Sequence, residues 1–334
     1  MAIQIRPATA DDRPAIIELL RQSLGESSIP KSEALWIWKH EHNPFGPSYV
    51  LVAEEAGQLV GVRAFMQWQW IRNDKIYRSV RAVDTATHPD HQGKGIFKKL
   101  TMQQLEGCRL DGVLFVFNTP NGQSKPGYLK MGWVEQGRMP LKFKVRNPFQ
   151  IIQARYFDRN KYTGLKDDPT PFQKWTQGVL TSLDRYVQHS DQLSTLFTPQ
   201  YISWRYASNP LFHYNYFTDQ ENFLLISRIK LQSFTKELRL VDFIRLNPKA
   251  DAGYLNNAMK TQVEAFCEQH RIDFISLSGQ QFEANKACFR WMGRLPVRSL
   301  GPIITLRDLN MKDNFQYLLN KKNWRYSTGD LELF

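Results

Sequence analysis

The chain has 334 residues, 42% of them apolar, which is enough for two domains of ordinary size with substantial cores. A formal net charge of +12 favours anionic partners, but the basic residues are dispersed, in runs no longer than pairs such as Lys98-Lys99, which argues against a dedicated nucleic-acid site. Three widely separated cysteines, Cys108, Cys267 and Cys288, argue against a disulfide framework or a metal site and suit the reducing cytoplasm; no stretch reaches the roughly 18 apolar residues of a membrane span.

Residues 3–6 predict a short strand, and the N-terminus has no apolar core of a signal peptide. Thr9 or Asp11 caps the next helix, whose apolar face is Ile16, Ile17, Leu19, Leu20 and Leu24. Residues 31–48 read as irregular and aromatic. Strands follow over Tyr49–Glu55 and residues 59–70, joined by the Ala56-Gly57-Gln58 turn. A second turn at Asn73-Asp74 leads to a strand that ends at Thr87. Trp68 and Trp70 share one face of their strand. With Trp36 and Trp38 they form either core or an aromatic wall on which a ligand stacks.

Next comes His88-Pro89-Asp90-His91-Gln92-Gly93-Lys94-Gly95-Ile96, then a helical pattern to Glu106. A glycine turn between a strand and a helix start is an anion cradle. The first N–H groups of the helix lack partners, and its dipole adds positive charge. Gly93 and Gly95 let a phosphate approach the main chain, and Lys94, Lys98 and Lys99 add charge. The Gly-x-x-x-x-Gly-Lys-Ser/Thr loop is absent, and Lys98 breaks the dinucleotide pattern Gly-x-Gly-x-x-Gly. An apolar run, Val113-Leu114-Phe115-Val116-Phe117, predicts a buried strand. Asn121, Ser124, Tyr128, Gly132 and Trp133 follow it, with Pro126 and Gly127 delaying the helix between them.

The loop Gln92-Gly93-Lys94-Gly95-Ile96, with Pro89 before it, resembles the pyrophosphate loop of the GNAT acetyltransferase superfamily. That loop reads Gln/Arg-x-x-Gly-x-Gly/Ala after Val-x-Pro. The later segment resembles the superfamily's Asn-x-x-Ala/Ser-x-x-x-Tyr-x-x-x-Gly-Phe. Phe97 stands where the loop's last small residue is usual, and Thr87 where valine is. The resemblance covers residues 1–145 in order. It implies an α/β fold of helices on a mixed sheet, with acetyl-CoA as co-substrate and no metal.

A weak repeat extends the reading. Trp38-Lys39-His40-Glu41-His42-Asn43-Pro44 returns in outline as Trp204-Arg205-Tyr206-Ala207-Ser208-Asn209-Pro210. Tyr128-Leu129-Lys130-Met131-Gly132 is echoed by Phe289-Arg290-Trp291-Met292-Gly293 at a similar separation. Two echoes in one order favour two such mixed-sheet units in tandem. Residues 191–310 form the second, degenerate because its turn, Leu246-Asn247-Pro248-Lys249-Ala250-Asp251-Ala252-Gly253, has no paired glycines at a helix start. Residues 146–190 join the units, with Pro148, Pro169 and Pro171 as breakers and residues 173–187 helical. Residues 311–334 form a tail, helical at first.

The resemblance also implies roles. Thr85, Ala86 and Thr87 hold pantetheine and the thioester oxygen through the main chain. Gln92, Gly93, Lys94, Gly95 and Ile96 take the diphosphate. Asn121 and Ser124 bond the pantetheine arm, or serve as cap and turn residues. Tyr128 is either a packing residue or the acid that protonates the leaving thiolate. For the base, Asp84 is the first candidate, and His88 and His91 are others. The chain also resembles the tandem enhanced intracellular survival (Eis) branch, where a C-terminal carboxylate enters the site, and tandem proteins of bacterial polysaccharide synthesis. The acceptor is thus expected to be a small-molecule amine, with an amino sugar or a polysaccharide precursor among the candidates. An aminoacyl-tRNA-dependent transferase and a non-catalytic acyl-CoA-binding protein are the alternatives.

Overall fold

The computed structural model of the chain describes residues 3–25, 29–157, 174–183, 186, 188, 190–293, 296–297 and 300–331. The chain divides into two units, Met1–Gly137 with Ile303–Asn323, and Arg138–Pro302 with Trp324–Phe334. In chain order the strands are β1 Gln4–Pro7, β2 Tyr49–Glu55, β3 Gln58–Arg72, β4 Lys75–Thr87, β5 Phe115–Asn118, β6 Val134–Arg138 and β7 Leu141–Val145. There follow β8 Asn215–Thr218, β9 Phe223–Leu231, β10 Lys236–Arg245, β11 Phe274–Ser278, β12 Pro296–Val297 and β13 Ile303–Asp308.

The first sheet runs β1-β2-β3-β4-β5-β13-β6. Its β4–β5 pair is parallel, while β1–β2, β2–β3, β3–β4 and β5–β13 are antiparallel. Two tight hairpins set its register. Ala56 and Gly57 both have positive φ, 53° and 79°, as do Asn73 and Asp74, 46° and 61°, the left-handed pair that matches strand twist. Helix α1, Arg13–Leu24, buries Ile16, Ile17, Leu19 and Leu20 against Val52, Val62 and Ala86. Helix α2, Ile96–Leu110, covers the other face, where a Cβ on Gly61 would touch Ile96 and Leu100. This is the mixed α/β layout expected from the sequence.

The second sheet runs β12-β7-β11-β10-β9-β8, with β10–β11 its parallel pair. Helix α4, Ala252–Gln269, bridges that pair as α2 bridges β4 and β5; helix α3, Lys125–Lys130, belongs to the first unit. The two strand orders correspond, so each unit carries the same topology around one parallel pair. Each takes one strand from outside the contiguous division expected at residues 145 and 191: β13 borders β5, and β7 borders β11. A chain exchange of this kind leaves both parallel pairs bordered by an antiparallel strand.

Residues 31–48 are more ordered than expected. Ser32 accepts the N–H of Leu35 and starts a helix over Glu33–Trp36 that widens into a π-helical turn at Ile37–Glu41. The repeat does the same: Thr198 accepts from Tyr201, and Pro199–Ile202 runs into a π turn at Ser203–Ala207. In each copy the asparagine, Asn43 or Asn209, accepts an N–H two residues on. Pro148, expected as a breaker, opens a helix over Pro148–Phe157, since proline fits the first helical turn. Within residues 173–187 the helix spans Gln177–Ser182, and several flanking positions lie outside the described residues. Trp36, Trp38, Trp68 and Trp70 are all buried, Trp70 against Phe117 with its indole N–H on Ser79.

Candidate active site

The parallel strands of the first unit diverge. β4 pairs with β5 only at Ser79–Arg81, opposite Phe115–Phe117. Beyond that point β4 carries a bulge, since Arg63 opposes Thr85 while Phe65 opposes Ala82. The extra residue bends β4 away and leaves residues 82–87 along a gap. An antiparallel strand turns alternate main-chain groups to each side, so this segment offers backbone donors and acceptors to the gap.

A cleft of about 880 Å³ opens there. Its wall includes Asp84, Thr85, Ala86 and Thr87 from β4, Gln92, Gly93, Gly95 and Ile96 from the glycine turn, and Asn121, Ser124 and Tyr128 beyond β5. Nearly all the residues expected at the site thus meet in one place; Lys94 does not line it. Gly93 and Gly95 both sit at φ +77°, a left-handed backbone that glycine adopts freely. A Cβ at either would meet nothing within 4 Å, so the space above the loop is open. α2 starts immediately after Gly95, its first intrahelical bond being Lys99 N–H to Gly95 carbonyl. The preceding N–H groups of its first turn are the free donors of an anion cradle.

Asn121 and Ser124 are also committed locally. Asn121 Oδ1 accepts the N–H groups of Gln123 and Ser124 at 3.1 and 2.8 Å and the Ser124 hydroxyl at 2.9 Å. This turn starts α3 and so sets Tyr128. The Tyr128 ring packs edge-on against Phe97, 5.8 Å between centres, and Trp133, 5.0 Å. Phe97 therefore lies along the wall of the cleft, against Gly127 and Tyr128, and leaves the glycine loop open.

Asp84, at the bulge, is paired rather than free. Lys39 Nζ donates to its Oδ2 at 2.5 Å, and His40 Nε2 lies 2.8 Å from the same oxygen. The other ring nitrogen of His40 is 2.9 Å from Ser48 Oγ. Burial pushes the Asp84 carboxyl up, but the Lys39 charge and the bonds from His40 and Lys39 outweigh it and hold it well below the usual carboxylate range. Burial pushes both Lys39 and His40 down. A carboxylate this acidic is a poor proton acceptor near neutrality. Asp84, expected as the general base, is thus tied to Lys39 and His40 at the bulge. His91 is held by Glu55 at 2.8 Å, and His88 accepts the N–H of Asp90 at 3.3 Å.

Sequence reading missed Lys39 and His40 as partners of Asp84, although both sit inside the repeated Trp-base motif. It also passed over Thr119, which lines the cleft and accepts from Arg81 Nη2 at 2.8 Å. Among the described residues no cluster of His, Cys, Asp or Glu could hold a metal ion, and no helix is long and apolar enough to cross a membrane.

In the second unit the equivalent gap is filled by the chain itself. β10 pairs with β11 only at Glu237–Leu240. Beyond it Thr328 Oγ1 donates to the carbonyls of Leu240 and Val241, and Gln281 N–H donates to Tyr326 O. Gly329 lies against Asp242 and Tyr206. The expectation for the chain terminus itself concerns residues outside those described.

Residues 4–135 match the family model of the acetyltransferase (GNAT) domain. The first unit is a GNAT acetyltransferase domain. With that domain the chain is an acyltransferase. Among curated proteins no sequence matches. Solved structures with a similar fold include a GCN5-related N-acetyltransferase from Anabaena variabilis, 13% identical, TM-score 0.60, over 93% of this chain and 74% of that one. A protein of unknown function from Enterococcus faecalis, described as a probable N-acyltransferase, is 11% identical with TM-score 0.61 over 94% and 74%. A GCN5-related N-acetyltransferase from Kribbella flavida is 11% identical with TM-score 0.59 over 92% and 71%. At these identities the likeness is one of fold. It extends past the GNAT domain over nearly the whole chain.

Proposed function

We propose that the GNAT domain is an acyl-CoA-dependent N-acyltransferase that acylates a primary amine of a small molecule, with acetyl-CoA the simplest donor and an amino sugar of a polysaccharide precursor the first acceptor class to test. A cytoplasmic location goes with this reading. One observation carries it: the diverging β4 segment, the open glycine cradle and Tyr128 line a single cleft. The residues fit coenzyme A, because the cradle has free donors and open space, and the gap offers main-chain partners to an extended amide arm.

The thioester supplies an activated acyl group. The cradle at Gln92–Gly95 holds the diphosphate, and Thr85, Ala86 and Thr87 align the pantetheine and polarise the thioester carbonyl from the main chain. The amine, arriving neutral, forms the new C–N bond as the C–S bond breaks. Tyr128 gives its proton to the departing sulfur, and the proton shed by the new amide nitrogen returns to the Tyr128 oxygen directly or through solvent, so the phenol is restored. Asp84 carries no proton in this scheme. It fixes Lys39 and His40 beside the bulge that opens the gap.

Acetyl-CoA is expected to raise the melting temperature of the full chain, and uncharged or aminoacylated tRNA is not. Gly95→Val places a branched side chain at φ +77° and over the cradle. It should weaken CoA binding roughly tenfold or more, read by calorimetry. Undiminished affinity would remove the loop from the site. Tyr128→Phe should leave CoA affinity unchanged and lower kcat by about 100-fold in a free-thiol assay over an amine panel. A fully active variant would take the acid role from Tyr128.

A further inference from the structure

A buried arginine stands behind the cleft wall with no hydrogen-bond partner. Arg63, on β3, is 0% exposed, and none of its three guanidinium nitrogens has a partner among the described residues. Two other buried arginines do have partners: Arg81 donates to Thr119, and Arg205 to the carbonyls of Gly329 and Leu331, while Arg228 of the second unit lies over the Phe212 ring with its Nε and Nη1 unpartnered among the described residues. Arg63 is enclosed by rings instead. Its Cζ lies 4.7 Å from the ring centre of Phe65, 5.4 Å from that of Tyr128 and 5.6 Å from that of Phe97. Cation–π contact offsets only part of the desolvation of a guanidinium, which stays charged in proteins. A site that keeps a buried cation without an internal partner is suited to an anion brought by a ligand.

The position narrows what that anion is. Phe97 and Tyr128 also line the cleft, so the guanidinium packs against two residues of its wall. Across the β3–β4 pair Arg63 opposes Thr85, in the segment that the proposed function places at the thioester. The diphosphate has its own donors in the glycine cradle. A planar fork of N–H groups matches a carboxylate through two parallel bonds, a match that a compact thiolate does not offer.

We propose that Arg63 is a specificity residue that selects an acyl group ending in a carboxylate, such as succinyl or malonyl, admitted when the Phe97 ring swings aside. This rests on the acyl-CoA reading of the cleft. The transfer is unchanged: the C–N bond forms, the C–S bond breaks, and the free carboxylate stays on the amide product.

The test is calorimetric titration of CoA, acetyl-CoA, succinyl-CoA and malonyl-CoA into the full chain, wild type and Arg63→Met. One carboxylated thioester is expected to bind about tenfold or more tighter than acetyl-CoA. Arg63→Met should erase that difference and keep the affinity for CoA itself. Arg63→Lys, which retains the charge without the fork, should keep part of it. Equal wild-type affinities for acetyl and both carboxylated forms overturn the inference and leave the acyl-CoA reading standing, whether or not the Met variant folds. A preference that survives Arg63→Met also overturns it. So does a uniform loss that includes CoA, which would assign Arg63 to the diphosphate. Failure of every CoA species to bind overturns the acyl-CoA reading, and this inference with it.

Discussion

Gly329→Val is expected to unfold the second unit, lowering its stability by more than about 4 kcal/mol. The reason is space. A Cβ at position 329 would fall onto the Asp242 carboxylate and the Tyr206 hydroxyl, which are already hydrogen-bonded to each other. The backbone cannot step aside. Gly329 N–H is held by Ser327 Oγ at 3.0 Å, its carbonyl accepts from Arg205 Nε at 3.1 Å, and Thr328 is tied to β10. Relief would require breaking several buried bonds, each leaving an unsatisfied polar group. Gly107→Ala is the control. It lies inside α2, a Cβ there meets nothing within 4 Å, and the change should be neutral or stabilise by about 1 kcal/mol. Urea unfolding read by tryptophan fluorescence compares the two. A Gly329→Val protein with the wild-type midpoint would show that the tail is not seated in the β10–β11 gap. The same contacts bear on function: the gap that is open in the GNAT domain is plugged in its copy.

The glycine turn at the start of α2 was legible because its signal is local: two glycines, a strand before and a helix after. The tandem layout was legible through Trp38 and Trp204, because each begins the same π turn and Asn-Pro stop. The strand exchange was not, since nothing in β13 encodes that its neighbour is β5 rather than β11. The pairing of Asp84 was hidden by distance along the chain, Lys39 lying in a segment that reads as irregular because a π turn has no standard periodicity. Arg63 was hidden for another reason. β3 is covered on both faces, so its apolar run does not alternate, and one arginine within it reads as noise. The four tryptophans posed a choice that only burial decides.

The second unit is expected to lose stability as pH rises from near 4 to about 7, the reverse of the usual carboxylate behaviour. Asp242 and Asp330 lie buried together. Burial pushes Asp242 up to about 6, against hydrogen bonds from Ser327 and Tyr206 and the charge of Arg205. Burial and then the charge of Asp242 push Asp330 up to about 7, although Thr195 donates to it at 2.5 Å and Ser327 N–H at 2.7 Å. Below the ordinary value of 3.8 both the folded and the unfolded chain carry these protons. Between there and 7 the folded chain keeps protons that the unfolded chain has released, so stability falls with pH and levels off above. Each tenfold gain in proton affinity on folding is worth about 1.4 kcal/mol, so the pair can take about 3 kcal/mol or more from the unit at pH 8. Asp242→Asn still accepts from Tyr206 and removes the like charge beside Asp330. It should leave stability at pH 4 nearly unchanged and raise it at pH 8 by about 2 kcal/mol. The equivalent carboxylate of the GNAT domain has the opposite sign. Asp84 faces Lys39 and His40 where Asp242 faces Arg205 and Tyr206, so its contribution is present above its unfolded value and lost only in strong acid. Denaturant midpoints at pH 4, 6 and 8 for wild type and Asp242→Asn decide the matter; parallel curves would mean that the buried pair holds no extra proton.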